Sequence, residues 1–181
     1  MNKTEKAVFG GGCFWCTEAI FKRVKGVVSV TPGYAGGEVP HPTYEQVCRG
    51  TTGHAEVIEV EYDPQVVSYA DLLQVFWYAH DPTTLDRQGN DIGKQYRSII
   101  LYASEEQKKQ AEASLKNADQ SGMFQKPIVT RVEKLEAFFP AEDYHMDYFA
   151  NNPDQPYCRA VISPKVQHFL RDHMDVLKES D

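Results

Sequence analysis

Apolar positions recur along this chain with two spacings, one of two residues and one of three to four, and their order sets out the elements. Lys6-Ala7-Val8-Phe9 is a short apolar run that gives way to Gly10-Gly11-Gly12 and then to Glu18-Ala19-Ile20-Phe21-Lys22-Arg23-Val24. This predicts a strand, a tight turn and a helix, with Cys13 on the helix's first turn. Val27 to Ala35 is apolar and β-branched and predicts a strand, whereas Gly36 to Thr43 is rich in Gly and Pro and predicts an ordered loop. Ala55 to Tyr62 alternates well enough for a strand. Ser68 to His80 predicts a helix, since Ser68 and Asp71 have capping-box spacing and Leu72, Leu73, Val75 and Phe76 form a core side.

From Asp81 to Tyr96 the chain turns polar and is broken by Pro82, Gly89 and Gly93, the pattern of a long structured loop. Ser98 to Tyr102 predicts a strand, Ser104 to Ser121 an exposed polar helix opened by Ser104 and Gln107, and Ile128 to Leu135 another strand. Ala141 to Ala150 predicts a short helix, and Asn151 to Cys158 a Pro-rich mobile loop. The last helix takes Ser163 as its cap and Pro164 in its first position. Strands and helices do not alternate strictly. The expected class is therefore α+β: one mixed or antiparallel sheet with helices packed on it and long ordered loops, in a single domain over 1–181.

Composition narrows the function. The net charge is −7 with Lys and Arg scattered, which argues against a nucleic-acid partner. No apolar run is long enough to cross a membrane, and the N-terminal run is too short for a signal-peptide core. The expectation is a cytoplasmic protein. In that reducing compartment cysteines 13, 16, 48 and 158 point to catalysis or metal binding rather than structural disulfides. Cys13-x-x-Cys16 could be half of a zinc site, but a second closely spaced Cys or His pair is missing, and His168 and His173 do not share a helical face.

Cys13 is the candidate nucleophile. A thiol at a helix start faces unpaired N–H groups and the positive end of the helix dipole, and both favour the reactive thiolate. The dipole contributes about 0.3–1 kcal/mol, so other donors must help. The plainer reading is a small buried apolar side chain. Three glycines in a row argue against it, because they cost backbone entropy unless something approaches the main chain closely.

Glu56 stands out next. Period two sets it on one face with Ile58, Val60 and Tyr62, while Glu59 and Glu61 fall on the other with Ala55 and Val57. A carboxyl among apolar neighbours stays protonated near neutral pH and can donate. The competing reading pairs Glu56 with an Arg or Lys near the strand's end. Tyr34, Tyr44 and Tyr96, in Gly-rich or polar segments, offer neutral hydroxyl donors.

These features fall inside longer matches. Gly12-Cys13-Phe14-Trp15-Cys16-Thr17-Glu18, Gly33-Tyr34-Ala35-Gly36-Gly37, Pro42-Thr43-Tyr44 and Gly50 to Glu56 come first along the chain. His80-Asp81-Pro82-Thr83, Asp86 to Gly93 with Gln95-Tyr96-Arg97-Ser98, and Ala141-Glu142-Asp143-Tyr144-His145 follow in order. In these the chain resembles the A-type peptide methionine sulfoxide reductases, which act on the S epimer of methionine sulfoxide. The resemblance implies a ferredoxin-like α/β core with long excursions. It implies that Cys13 attacks the sulfoxide sulfur and Glu56 protonates its oxygen, with Tyr44 and Tyr96 hydrogen-bonding to that oxygen. Phe14 and Trp15 would line a pocket for the S-methyl group, Tyr148 would complete it, and Asp91 would orient a polar network behind it.

A sulfenic acid would remain on Cys13 for a second thiol to condense, and thioredoxin or another dithiol would reduce the resulting disulfide. The resemblance implies that no metal or organic cofactor is needed and that the substrate is oxidised protein or free methionine sulfoxide; a monomer is expected. Cys158, in the setting Pro156-Tyr157-Cys158, is placed ahead of Cys16 as the resolving thiol, and Cys48 is read as structural. Two departures stand out: many relatives carry Gly at the position of Cys16, and Gln at that of Met146. The other readings are a thioredoxin-like disulfide oxidoreductase using Cys13-x-x-Cys16, and a non-catalytic metal-binding module.

Overall fold

The period-two runs become the strands of one mixed sheet, in a computed structural model that describes residues 3–179. Met1, Asn2, Ser180 and Asp181, the ends of the expected domain, lie outside the described residues. In chain order the first elements are β1 (Glu5–Gly10), α1 (Phe14–Phe21), β2 (Val27–Ala35), α2 (Tyr44–Cys48), β3 (Ala55–Tyr62) and α3 (Tyr69–Ala79). Then come β4 (Arg87–Gln88), β5 (Asp91–Ile92), β6 (Ile99–Tyr102), α4 (Glu105–Gln120), β7 (Arg131–Lys134), β8 (Phe138–Pro140), α5 (Tyr148–Asn151) and α6 (Ser163–Asp172).

The strand order is β7-β6-β1-β3-β2-β8, with β6 and β7 parallel and the other neighbours antiparallel. Its inner part, β1-α1-β2-β3-α3-β6, is the βαββαβ unit of ferredoxin-like folds. The α+β class expected from the sequence is the one observed. Alternation along β3 divides the two faces: Ile58, Val60 and Tyr62 enter the main core, while Ala55 and Val57 join Val8, Ala35, Ile99 and Leu101 beneath the sheet. On the main face Phe9 stacks with Phe21 and Phe76 at centroid distances of 5.5 and 5.2 Å. Truncating Phe76, which is fully buried, to Ala would cost about 3–5 kcal/mol.

The helix starts follow their caps. Ser68 and Asp71 bond reciprocally at 3.0 Å in both directions, and Thr43 with Gln46 makes a second capping box that opens α2 just after the segment 36–43 expected as loop. Ser104 caps α4 through the Gln107 N–H. Ser163, in contrast, is not a cap. Helical backbone begins at Pro156, and the Ser163 N–H reaches back five residues to the Cys158 carbonyl in a π turn over Cys158–Ile162. Pro164 has no N–H to offer Ala160, so the usual bond four residues back is lost there.

The segment 141–150 is broken rather than one helix, because Asp147 takes φ 54, ψ 33 between a 3₁₀ turn at Asp143–His145 and α5. Strand β8 lies in a stretch the sequence reading left unassigned. The polar 81–96 segment is ordered by the β4–β5 hairpin and a 3₁₀ turn at Lys94–Tyr96. Among the described residues no helix is long and apolar enough to cross a membrane.

Candidate active site

Strand β1 delivers the chain into the glycine turn, and Cys13 is the residue that caps α1. It has φ −59, ψ 126, so it precedes the helix instead of belonging to its first turn. The glycines are required by packing within the protein. A Cβ on Gly12, whose φ is +88, would lie 2.7 Å from Gln88 Cγ, and one on Gly10 would lie 2.8 Å from Ile99 Cγ2. The close approach anticipated from the sequence is made by the protein's own side chains.

The expected lowering of the Cys13 pKa is overturned. Cys13 is 8% exposed. Burial, the hydrogen bond with Cys16 and the nearby Glu56 charge push its thiol well above the ordinary value, against the Trp15 N–H. Here the loss of water is the largest influence, because burial disfavours the charged thiolate. Cys16 is lowered, chiefly because the Cys13 thiol bonds to it, with burial opposing and Lys165 and Tyr157 assisting. The two sulfurs titrate as a pair: the first proton leaves readily because the remaining S–H supports the thiolate, and the second is held.

Glu56 sits where its alternation places it, 2% exposed beneath the Cys13–Phe14 turn. Its Oε1 accepts the Phe14 N–H at 3.2 Å, while its buried Oε2 has no partner. Neither Arg nor Lys pairs with it among the described residues, whereas Glu59 pairs with Lys6 and Glu61 accepts from Thr4 and Ser29. Burial, opposed by the Phe14 N–H and supported by Asp91 and Cys16, raises its pKa to about 8. It is a neutral acid near pH 7 with one oxygen free to donate.

The tyrosines converge from three elements. Tyr44, the first residue of α2, is held by its backbone N–H to Glu142 Oε2 at 3.0 Å, and Tyr34 donates to the other Glu142 oxygen at 2.9 Å. Tyr96 ends the 3₁₀ turn and lies within the fields of Glu56, Asp91 and Cys13. Burial first, then the Glu56 charge, raise the Tyr44 and Tyr96 hydroxyls, which stay neutral donors. Asp91, on β5, accepts the Tyr157 O–H at 2.5 Å, and that hydroxyl lies 4.0 Å from Cys16 Sγ.

Phe14 is fully buried, with its ring 5.7 Å from Tyr34, 6.2 Å from Tyr44 and 5.0 Å from His145, so it forms a floor. Trp15 is partly open and stacks on Tyr148 at 3.8 Å and 8°.

The structure thus brings Cys13, Cys16, Glu56, Tyr44, Tyr96, Asp91, Phe14, Trp15 and Tyr148 into one cluster at the start of α1. Cys158 stands behind it. It was expected in a mobile loop, yet it is fully buried at the start of the π turn, its N–H held by Gln155 Oε1 at 3.1 Å. Cys48, read as structural, is an exposed thiol beside the Tyr44 hydroxyl. His145 and Tyr157 are given no role from the sequence, although His145 ends a matching segment and Tyr157 adjoins Cys158. His145 is fully buried and accepts the Trp15 Nε1–H at 2.9 Å through Nδ1. A cavity of about 1040 Å³ lies elsewhere, lined by Trp77, His80, Asp81, Lys165 and Phe169, and shares no wall with Cys13 or Glu56. The chemistry-bearing groups, not the volume, locate the site.

Comparison with known proteins places the chain in a family. The family model described as peptide methionine sulfoxide reductase matches residues 5–178. A peptide methionine sulfoxide reductase MsrA of Sulfolobus acidocaldarius is 57% identical over 171 residues, 94% of this chain and 96% of that protein. Among solved structures, Mxr1 of Saccharomyces cerevisiae in reduced form is 34% identical with a TM-score of 0.79, covering 86% of this chain and 90% of that one. Methionine sulfoxide reductase A of Corynebacterium diphtheriae is 38% identical with a TM-score of 0.77, covering 83% and 76%. The chain belongs to the peptide methionine sulfoxide reductase family.

Proposed function

We propose that the chain reduces methionine-S-sulfoxide, in proteins and as the free amino acid, as one catalytic domain whose main core runs unbroken through α1, α3, α4 and α6. The observation that carries the reading is the Glu56 Oε2 atom, buried and unpartnered beside Cys13. An oxygen that must be protonated as it leaves sulfur would complete it.

In this reading the Cys13 sulfur attacks the sulfoxide sulfur and Glu56 gives its proton to the oxygen. The Tyr44 and Tyr96 hydroxyls hydrogen-bond to that oxygen as charge develops. Breakdown releases methionine and leaves Cys13 as a sulfenic acid, so the thiol sulfur loses the two electrons that the sulfoxide gains. The proton that leaves the Cys13 thiol replaces the one taken from Glu56. Phe14, Trp15 and Tyr148 receive the S-methyl group, and Asp91 holds Tyr157 beside Cys16.

Cys16 is the better placed resolving thiol, reversing the order expected from the sequence. Its thiol titrates together with that of Cys13, and because Cys13 precedes the helix the usual helical separation does not hold the two apart. Cys158 must first leave a buried π turn. The Cys16 thiol expels hydroxide from the sulfenic acid as water and forms a disulfide. Thioredoxin, or another dithiol, then reduces it by exchange, and thiols supply all the electrons. A thioredoxin-like disulfide exchange would have no use for the free Glu56 oxygen.

Separate incubation with each epimer of methionine sulfoxide, with dithiothreitol as reductant and chromatographic detection of methionine, tests this. The S epimer alone should be consumed. Consumption of the R epimer, or of neither, would overturn it.

A further inference from the structure

Trp15, Glu18 and Lys22 run along one side of α1 at spacings of three and four residues, and all three grip the same short segment. Trp15 holds His145 and stacks on Tyr148. Lys22 pairs with the Asp147 carboxylate. Between them Glu18 Oε2 accepts the Asp147 backbone N–H at 3.2 Å. Glu18 is only 1% exposed, and the chemistry above makes no use of it.

The gripped segment has little means of holding its own shape. Asp147 is left-handed and opens α5, a turn of four residues, without giving it a side-chain cap. A turn that short is not stable by itself, and its first N–H groups need acceptors. Glu18 supplies one from another helix, facing the amides of both Asp147 and Tyr148.

We infer that Glu18 is a positioning residue for substrate binding. By holding the Asp147 and Tyr148 amides it keeps Tyr148 flat against Trp15, and so shapes the wall that receives the sulfoxide's methyl group. This rests on the reading of Trp15 and Tyr148 as that wall. The charged groups facing Glu18 are Lys22 from its own helix and Asp147 from the opposite turn. Burial raises the Glu18 carboxyl to about 7, opposed by the two amides and Lys22. The grip is therefore firmest above that pH, and it relaxes as pH falls and one oxygen takes a proton.

Steady-state and single-turnover kinetics on a methionine sulfoxide peptide test this with Glu18→Ala, Glu18→Gln, Trp15→Ala, Tyr148→Ala and the Glu18→Ala/Tyr148→Ala pair. Glu18→Ala should raise KM about tenfold, the scale of one lost charge-assisted hydrogen bond, with far less effect on the rate at saturation. Glu18→Gln keeps an acceptor oxygen, so it should recover most of the affinity while losing the fall in KM across about pH 6 to 8. Its pH profile carries the test if the alanine variant does not fold. In the Tyr148→Ala background Glu18→Ala should add nothing. A wild-type KM for Glu18→Ala, a wild-type pH profile for Glu18→Gln, or additive effects in the pair would overturn the inference, while Trp15→Ala and Tyr148→Ala still raise KM. Unchanged KM in those last two would remove the wall, and the inference with it.

Discussion

Replacing Glu56 by Gln separates the stability effect of its buried acid from the catalytic one, because an amide is neutral at every pH and has no proton to give up. Glu56 keeps its proton to about pH 8 instead of the ordinary 4.5. Below 4.5 the acid is protonated in both folded and unfolded chains, so variant and wild type should differ little. Between those values the unfolded chain releases the proton and the folded one retains it, so this group lowers wild-type stability by about 1.4 kcal/mol per pH unit. Relative to wild type, Glu56→Gln should gain roughly 3 kcal/mol at pH 7 and roughly 5 kcal/mol above pH 8. The group is 2% exposed, so solvent screening removes little of this. Urea denaturation of both proteins at about pH 5, 7 and 9 measures the difference directly. A constant difference, or a variant less stable at neutral pH, would refute the claim of a buried neutral acid. The same variant should slow single-turnover sulfoxide reduction by about 10²–10³-fold, since the amide can hydrogen-bond but cannot protonate.

Cys13→Ser should fold and lose single-turnover reduction of methionine-S-sulfoxide altogether; retained reduction would reassign the nucleophile. Tyr44→Phe and Tyr96→Phe should each slow that step about 10–100-fold, the scale of one hydrogen bond to developing charge, and wild-type rates in both would take the hydroxyls out of the chemistry. Peptide mapping by mass spectrometry after one turnover should find a Cys13–Cys16 disulfide. A Cys13–Cys158 link appearing first would mean the π turn opens faster than its burial suggests.

The local signals in this chain were decisive wherever neighbouring residues set the outcome. Period two in β3 put Glu56 on the core face and left Glu59 and Glu61 for Lys6, Thr4 and Ser29, because a strand's pleat fixes which side each residue faces. The Ser68–Asp71 box marked the start of α3 for the same reason: its two bonds lie within a single turn. Local reasoning failed where partners come from far along the chain. The Cys13 thiol is raised chiefly because the packed core excludes water, and further because Cys16 and Glu56 lie near it, and a helix-end argument sees none of these.

Only tertiary contacts decide that Glu142 clamps Tyr34 and the Tyr44 amide, residues about a hundred positions away. They also bury Cys158 in a π turn that sequence read as a mobile loop. The sequence by itself determined the inner strands, the Ser68 and Ser104 caps and the face on which Glu56 lies, since these follow from spacing and local side-chain chemistry. The protonation states and the order in which the thiols meet belong to the folded chain, because desolvation and distance exist only once remote segments have packed together.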